Sequence, residues 1–333
     1  MKPKNIVTIG GGTGSFMLLT GLKKYPINIS AIVSMADDGG STGVLRDELG
    51  VLPPGDMRQC LVALSDSSKT LRELMNYRFE NGTLKGHNFG NLLLSALEKI
   101  KGDFVSGVHE ASKILNVRGE VIPVTKKDTD LYIKLKNGKI LDGQNEINHN
   151  YEIEPRGIEK IYLNPKAAAN PRAIKKILEA DAVIIGPGNH YCSIVPNLIV
   201  DGIPEAIRRT KAKVIYNCNL VNKKGHTEKF DLDDYVKAIN KLVGKDRIDF
   251  VAFNTKNPSG KLIRKYESKK ELLVRFKKGK NKSRKYNVIC ADLLSRESAE
   301  YNKADAISSV RSFIRHDSEK LAKVIAEISE IGI

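Results

Sequence analysis

Ile6-Val7-Thr8-Ile9-Gly10-Gly11-Gly12-Thr13-Gly14-Ser15 decides how the rest of this chain is read. A short apolar run cut off by glycines suits a buried strand of a parallel sheet. Phe16 to Lys24 follows at helical spacing, marked by Phe16, Leu19 and Leu22, so strand and helix form the opening of a βα unit. Glycines at such a junction let backbone amides approach a phosphate, and the helix N-terminus adds its positive dipole end. The Thr13 and Ser15 hydroxyls can add hydrogen bonds. The loop matches neither standard nucleotide motif. Ser15 stands where a dinucleotide fingerprint has its third small residue, and no Gly-Lys-Ser/Thr follows as in a Walker loop. The expectation is a non-standard phosphate loop over Gly10, Gly11, Gly12, Thr13, Gly14 and Ser15, with a bare glycine turn as the alternative.

The same rhythm continues outward. Ile29 to Met35 reads as a second strand, broken by Asp37-Asp38-Gly39-Gly40-Ser41. Helices are expected at Met57–Leu64, Lys69–Phe79, Asn91–Ile100 and Phe104–Leu115. From Gly119 to about Leu163 short alternating runs replace the helical period, Val121-Ile122-Pro123-Val124 and Leu131-Tyr132-Ile133-Lys134-Leu135 among them, with a turn at Lys136-Asn137-Gly138-Lys139. The α/β rhythm returns with Ala182-Val183-Ile184-Ile185 running into Gly186-Pro187-Gly188-Asn189, then strands at Lys213–Tyr216 and Phe250–Phe253 and a last helix at His316–Ile328. The expected fold is α/β: a doubly wound, mostly parallel sheet over residues 1–118 and 164–333, with an inserted antiparallel β-hairpin subdomain over 119–163.

Composition excludes several classes. No run of about 18 apolar residues appears, so a membrane-spanning helix is not expected, and the short apolar stretch after Met1-Lys2-Pro3-Lys4 does not make a signal peptide. Four scattered cysteines and six scattered histidines form no metal-binding spacing, and reduced buried thiols in a cytoplasmic protein are expected. The net charge of +16 is concentrated: residues 256–285 carry 13 Lys or Arg against Glu267 and Glu271. A solvated basic loop or strand pair explains this segment more simply than a nucleic-acid surface, because few aromatics are interleaved.

Three glycine-rich breaks after strands, at Gly10–Ser15, Gly39–Gly43 and Gly186–Gly188, would line one ligand crevice at the carboxyl edge of the sheet. Asp37 and Asp38 could grip a ribose, hold Mg²⁺, pair with Arg46 or Arg58, or serve only as turn residues. Asp56 follows the stiff Pro53-Pro54-Gly55 and is either an aimed carboxylate or an N-cap. Asn88 and Asn91 can read a base edge or a phosphate, Asn91 alternatively capping a helix; neighbouring His87 suits a structural role equally well. Gly186, Pro187, Gly188 and Asn189 offer a further amide nest.

Taken together, GGGTGS, DDGGSTG, LPPGDMRQ, GHNFGN, RGEVIPVT, GPGNHYCSIVPNLIV and Phe313-Ile314-Arg315-His316-Asp317 resemble the YvcK/CofD family over nearly the whole chain. The resemblance implies a Rossmann-like core and one of two activities. CofD-type members are 2-phospho-L-lactate transferases of coenzyme F420 synthesis; YvcK-type members, the gluconeogenesis factors, bind UDP-sugars such as UDP-N-acetylglucosamine and support cell-wall synthesis and cell shape. The DDGGSTGVLRD stretch, Met57-Arg58-Gln59 and the Arg315-His316-Asp317 ending are similar to the YvcK branch, in which a terminal arginine, here Arg315, contacts the UDP-sugar. Asp56 matches the aspartate that CofD proteins place near the deazaflavin. The family's Gly-Pro-Gly-Ser-Leu-Tyr is Gly186-Pro187-Gly188-Asn189-His190-Tyr191 here, and Leu220–Thr227 replaces its Met-Thr-Gln-Pro-Gly-Glu-Thr segment; the resemblance implies that both loops lie near the ligand and bear on which sugar or nucleotide is preferred. The resemblance thus implies a UDP-sugar-binding regulator that needs no cofactor to bind. The alternative is a transferase in which Asp37, Asp38 or Asp56 holds Mg²⁺ and activates an acceptor. A homodimer and regulatory protein partners are implied by the resemblance alone.

Overall fold

The computed structural model describes residues 2–277, 279, 283–296 and 314–331, so Phe313 and part of the basic segment lie outside the described residues. In chain order the elements begin with β1 (Asn5–Gly10), α1 (Gly12–Leu22), β2 (Asn28–Val33), α2 (Gly40–Leu49), α3 (Gly55–Leu64), α4 (Lys69–Asn76), α5 (Phe89–Lys101), α6 (Phe104–Ile114) and β3 (Glu120–Pro123). An inserted stretch follows: β4 (Asp130–Leu135), β5 (Ile140–Asp142), α7 (Gly143–His149), α8 (Ile153–Arg156) and β6 (Ile158–Asn164). The chain then resumes with α9 (Pro171–Leu178), β7 (Ala182–Ile185), a π-helical turn (His190–Ile194), α10 (Val195–Leu198), α11 (Ile203–Arg209) and β8 (Lys213–Asn217). Last come α12 (Leu232–Val243), β9 (Phe250–Asn254), α13 (Gly260–Glu267), β10 (Asn287–Ala291) and α14 (Ser318–Ile328). Among the described residues no helix is long and apolar enough to cross a membrane.

Seven strands form one sheet in the order β10-β9-β8-β7-β1-β2-β3, with every pairing parallel. Ile6 to Gly10 are all buried, as are Ala182 to Ile185, which requires cover on both faces of the sheet. Helix α1 packs between α3 and α14, while α9, α10, α11 and α12 form a second group. This is the expected Rossmann-like, doubly wound architecture. The strand order reverses between β1, which pairs with β2 on one side, and β7 on the other. Such a reversal splays the two following loops apart and opens a crevice at the carboxyl ends of the strands. Those loops are the glycine loop after β1 and Gly186–Asn189 after β7.

The inserted sheet has the order β5-β4-β6 and is antiparallel. Leu131, Ile133 and Leu135 point inward and are wholly buried, as the alternating pattern of β4 requires. Its turn closes where the Asn-Gly pair predicts, with Leu135 N donating to the Lys139 carbonyl at 2.8 Å and Gly138 in the left-handed region at φ +88°. One expectation is corrected. Val121-Ile122-Pro123 does not belong to this insertion; as β3 it extends the main sheet, Val121 pairing with Ala31 parallel to β2. The antiparallel sheet therefore begins at Asp130, and the run of alternating residues before it reflects an edge strand with one polar end. Helix α13 is a second difference: part of the basic segment is helical, with Tyr266 buried and its charges outward.

Candidate functional site

The cleft at the strand reversal encloses about 670 Å³. Its floor is the glycine loop. Gly11 is extended, with no side chain to cap α1, and Gly12 sits at φ +63°, a conformation cheap only for glycine. A Cβ on Gly11 would strike the Asp56 carboxylate, and one on Gly14 the Pro187 carbonyl oxygen. The three loops after β1, before α3 and after β7 thus meet with nothing between them. Gly11, Gly12, Thr13 and Gly14 line the cleft; Gly10 and Ser15 do not. Ser15 is buried and turns back on Gly10, where an added Cβ would lie 2.7 Å from its Oγ.

The three aspartates fall into two places. Asp37 and Asp56 both line the cleft. Asp37 Oδ1 accepts from Gly39 N at 3.1 Å, and a Cβ on Gly55 would come within 2.6 Å of its Oδ2. Asp56 is not an N-cap; α3 begins at Gly55 with Pro54 as its cap residue, so Asp56 stands inside the first turn, near the positive helix end. Asp38 is turned the other way. Its Oδ1 accepts from Asn145 N of α7 at 2.7 Å, and burial, with Asp37 close by, pushes its carboxyl up to about 6. The expected Asp37–Asp38 pair is therefore split between the cleft and the insertion. Arg46, one of the expected partners, bridges Asp128 at 2.7 Å and Asp130 at 2.9 Å instead, and it donates to the Asp37 carbonyl at 3.3 Å.

Asn88, and not Asn91, caps α5, its Oδ1 accepting from Asn91 N at 3.2 Å. Asn91 Oδ1 accepts from Arg58 Nε at 2.9 Å, and Arg58 Nη1 also reaches Asn76 Oδ1 at 2.6 Å. Ser41 Oγ ties this group together, accepting from Asn88 N at 3.3 Å and lying 3.3 Å from His87 Nδ1. Ser41, Gly39, Gly40 and Asn91 line the cleft, whereas His87 and Asn88 stand behind them. Pro187, Gly188 and Asn189 line the opposite wall, but Gly186 does not. Asn189 is occupied by the structure: its Oδ1 accepts from Cys192 N at 3.2 Å and its Nδ2 donates to Asn148 at 3.1 Å. Arg315 reaches the cleft from the segment leading into α14.

Sequence reading does not find the contribution of the insertion. Gln144, Asn148 and Tyr151 from α7 and the turn after it line the cleft, as do Asn219 to Lys224, His226 and Thr227 after β8. Lys223 Nζ donates to both the carbonyl and the side-chain oxygen of Asn148. His226 Nε2 bonds the Asn150 carbonyl at 2.8 Å. His190, His226 and His316 are all buried and held neutral, burial pushing them down to about 4, about 3 and about 4 respectively. The loops Gly186–Tyr191 and Leu220–Thr227 thus meet at the cleft, as the resemblance implied, whereas no sequence signal marks the insertion as their neighbour.

Two features define what the cleft can hold. Seven cationic side chains line it, Arg58, Arg78, Lys223, Lys224, Lys265, Lys269 and Arg315, against the carboxylates Asp37, Asp56 and Glu271. Three helices, α1, α2 and α3, start at its wall, and none has a side-chain cap. Of the remaining helices α4, α5, α6, α9, α12 and α14 are capped by Ser68, Asn88, Asp103, Asn170, Asp231 and Asp317, while α7, α8, α10, α11 and α13 also lack a side-chain cap. First-turn amides have no carbonyl partner within their own helix, so the cleft gathers three sets of such donors. Among the described residues no cluster of three or more His, Cys, Asp or Glu is arranged to hold a metal ion.

Comparison with known proteins agrees with this architecture. The family described as 2-phospho-L-lactate transferase CofD matches residues 6–294. The gluconeogenesis factor of Bacillus subtilis is 40% identical over 329 residues, covering 98% of each chain. That of Halalkalibacterium halodurans is 42% identical over 272 residues, 81% of this chain and 83% of the relative. A crystal structure of a UPF0052-family protein from Bacillus halodurans superimposes with a TM-score of 0.88 at 36% identity, covering 98% of this chain and 99% of that one.

Proposed function

The chain belongs to the CofD family and is similar throughout to its gluconeogenesis factors, and from that premise we propose that it is a regulatory protein that binds a nucleotide sugar of the UDP-N-acetylglucosamine type. The observation that carries this reading is the convergence of three uncapped helix N-termini on one cationic cleft. A diphosphate supplies the acceptors and the negative charge that such helix ends lack. In this reading the diphosphate lies on the amides of Gly11 to Gly14, with Gly39, Gly40, Ser41 and Asn91 on one side and Pro187 to Asn189 on the other. Arg315 closes the site from the α14 side. Ser15, His87, Asn88, Gly10 and Gly186 then support the binding residues without meeting the ligand. A role in cell shape and cell-wall synthesis, and in dimeric or partner-bound regulation, follows the gluconeogenesis-factor branch. Calorimetric titration with UDP-N-acetylglucosamine tests the reading: saturable heat is expected, and no heat at millimolar ligand would end it.

One observation favours a second reading, phosphoryl-type transfer. Asp37 and Asp56 flank Gly55 and Gly11 inside the cleft, a hard-oxygen pair that fits Mg²⁺ shared with phosphate oxygens. Such an ion would supply charge neutralisation, while the residues present would orient the ligand; Asp38, directed at Asn145, does not fit that role. Product formation from a guanylyl-activated phospholactate and a deazaflavin acceptor, lost in Asp56→Asn, would favour transfer over binding.

A further inference from the structure

Helix α7 presents Gln144 and Asn148 to the cleft, about one turn apart and both half-buried. Each is held at one end by the protein. Gln144 Nε2 donates to the Cys192 carbonyl at 2.5 Å. Asn148 Oδ1 accepts from Asn189 Nδ2 at 3.1 Å and from the Lys223 ammonium. These partners fix which end of each amide is which, since a carbonyl only accepts and an ammonium only donates. The atoms left over are an acceptor, Gln144 Oε1, and a donor, Asn148 Nδ2, and neither has a hydrogen bond among the described residues. Because the opposite ends are tied down, both atoms are held in place before a ligand arrives, which lowers the cost of binding one.

The spacing selects the group that satisfies both. Side chains four residues apart on a helix are separated by about 5–6 Å at Cβ. A hydroxyl is a single oxygen and meets one of the two. A pyrimidine ring carries its N–H and C=O side by side, facing one way, and suits one amide side chain better than two. A trans secondary amide has its N–H and C=O pointing in opposite directions within one plane. Lying between the two residues, it donates to Gln144 Oε1 and accepts from Asn148 Nδ2.

We propose that Gln144 and Asn148, on the inserted subdomain, are the specificity-determining residues of this site: they read the N–H and C=O of an acetamido group on the sugar and set it apart from the same sugar with a free hydroxyl there. This rests on the nucleotide-sugar reading above and assigns the part of the cleft that discriminates among uncharged sugars. The test titrates the full chain with UDP, UDP-glucose and UDP-N-acetylglucosamine; the two sugars differ only in the substituent on one carbon. UDP-N-acetylglucosamine is expected to bind at least about tenfold more tightly than UDP-glucose, and Gln144→Met and Asn148→Asp each to bring that ratio below about threefold. Asn148→Asp keeps the acceptor for Asn189 and Lys223 and replaces only the donor. Equal affinities in the unaltered chain would overturn the proposal and leave the nucleotide-sugar reading intact. So would variants that weaken both sugars alike and keep the ratio, which is the mark of a merely structural role. Failure of all three nucleotides to bind would remove both readings. If one variant does not fold, the other decides, and if neither folds, the ratio in the unaltered chain decides alone.

Discussion

Gly11 and the carboxylate of Asp56 occupy the same space to within a methyl group: a Cβ on the glycine would collide with Asp56 Oδ2 and Cγ but would lie at an ordinary 3.5 Å from Asp56 Cβ. The glycine is required by a neighbour more than by its own backbone, which is extended. Gly11→Ala should destabilise the fold by about 1–3 kcal/mol through overpacking. Adding Asp56→Ala should recover most of that loss, a non-additivity that a denaturant double-mutant cycle measures directly. Additive losses would show that the two residues do not compete for space.

Arg58 holds α3, the end of α4 and the start of α5 together through Asn91, Asn76 and the Met75 carbonyl. Arg58→Met keeps an apolar stem but leaves the buried Asn91 amide oxygen and Met75 carbonyl without their donor, and should cost about 2–3 kcal/mol. Urea unfolding checks it, with an unchanged midpoint as the contrary result.

Acid should destabilise this protein through its histidines. His190 and His316 are held at about 4 and His226 at about 3 in the fold, against an ordinary value near 6.5 when unfolded. Between those limits the unfolded chain binds more protons, so stability falls as pH drops from about 6.5 toward 4, by up to about 1.4 kcal/mol per pH unit for each imidazole. His190→Gln should flatten the slope of unfolding free energy against pH in that window.

Asp38 works in the opposite sense. Its folded value near 6 lies above the ordinary carboxylate value, so its contribution to stability is lost as pH rises from about 4 to about 6. Asp38→Asn, which keeps an acceptor for Asn145 N, should match the unaltered protein near pH 4 and be more stable at pH 8, by on the order of 1 kcal/mol after solvent screening. Unfolding at both pH values decides it.

The main sheet was legible because its strands are apolar runs that stop on glycine: Ile6–Ile9 at Gly10, Ala182–Ile185 at Gly186. Position in the sheet was not legible for β3, since Val121-Ile122-Pro123 carries the same local pattern in a parallel edge strand as in a hairpin. Helix α2 escapes a local reading because Gly40-Ser41-Thr42-Gly43 favours turns; tertiary contacts and the left-handed Gly50 stop make it helical. At the site, glycines and Asp37, Asp56 and Asn91 could be read from their place after strands. Asn148, its contact with Lys223 and the neutral state of the histidines could not, because they arise from contacts distant in sequence, such as Lys223 to Asn148 across 75 positions.

Helix α7 touches the cleft loops at separate points: Asn145 at Asp38, Gln144 at the Cys192 carbonyl, and Asn148 at both Asn189 and Lys223. These joints make the insertion poor material for grafting. A chimera that takes α7 from a relative while keeping Asn189 and Lys223 would mismatch donors and acceptors at the seam. Ligand preference should therefore transfer between homologues only when the insertion and the loops after β2, β7 and β8 are moved as one set.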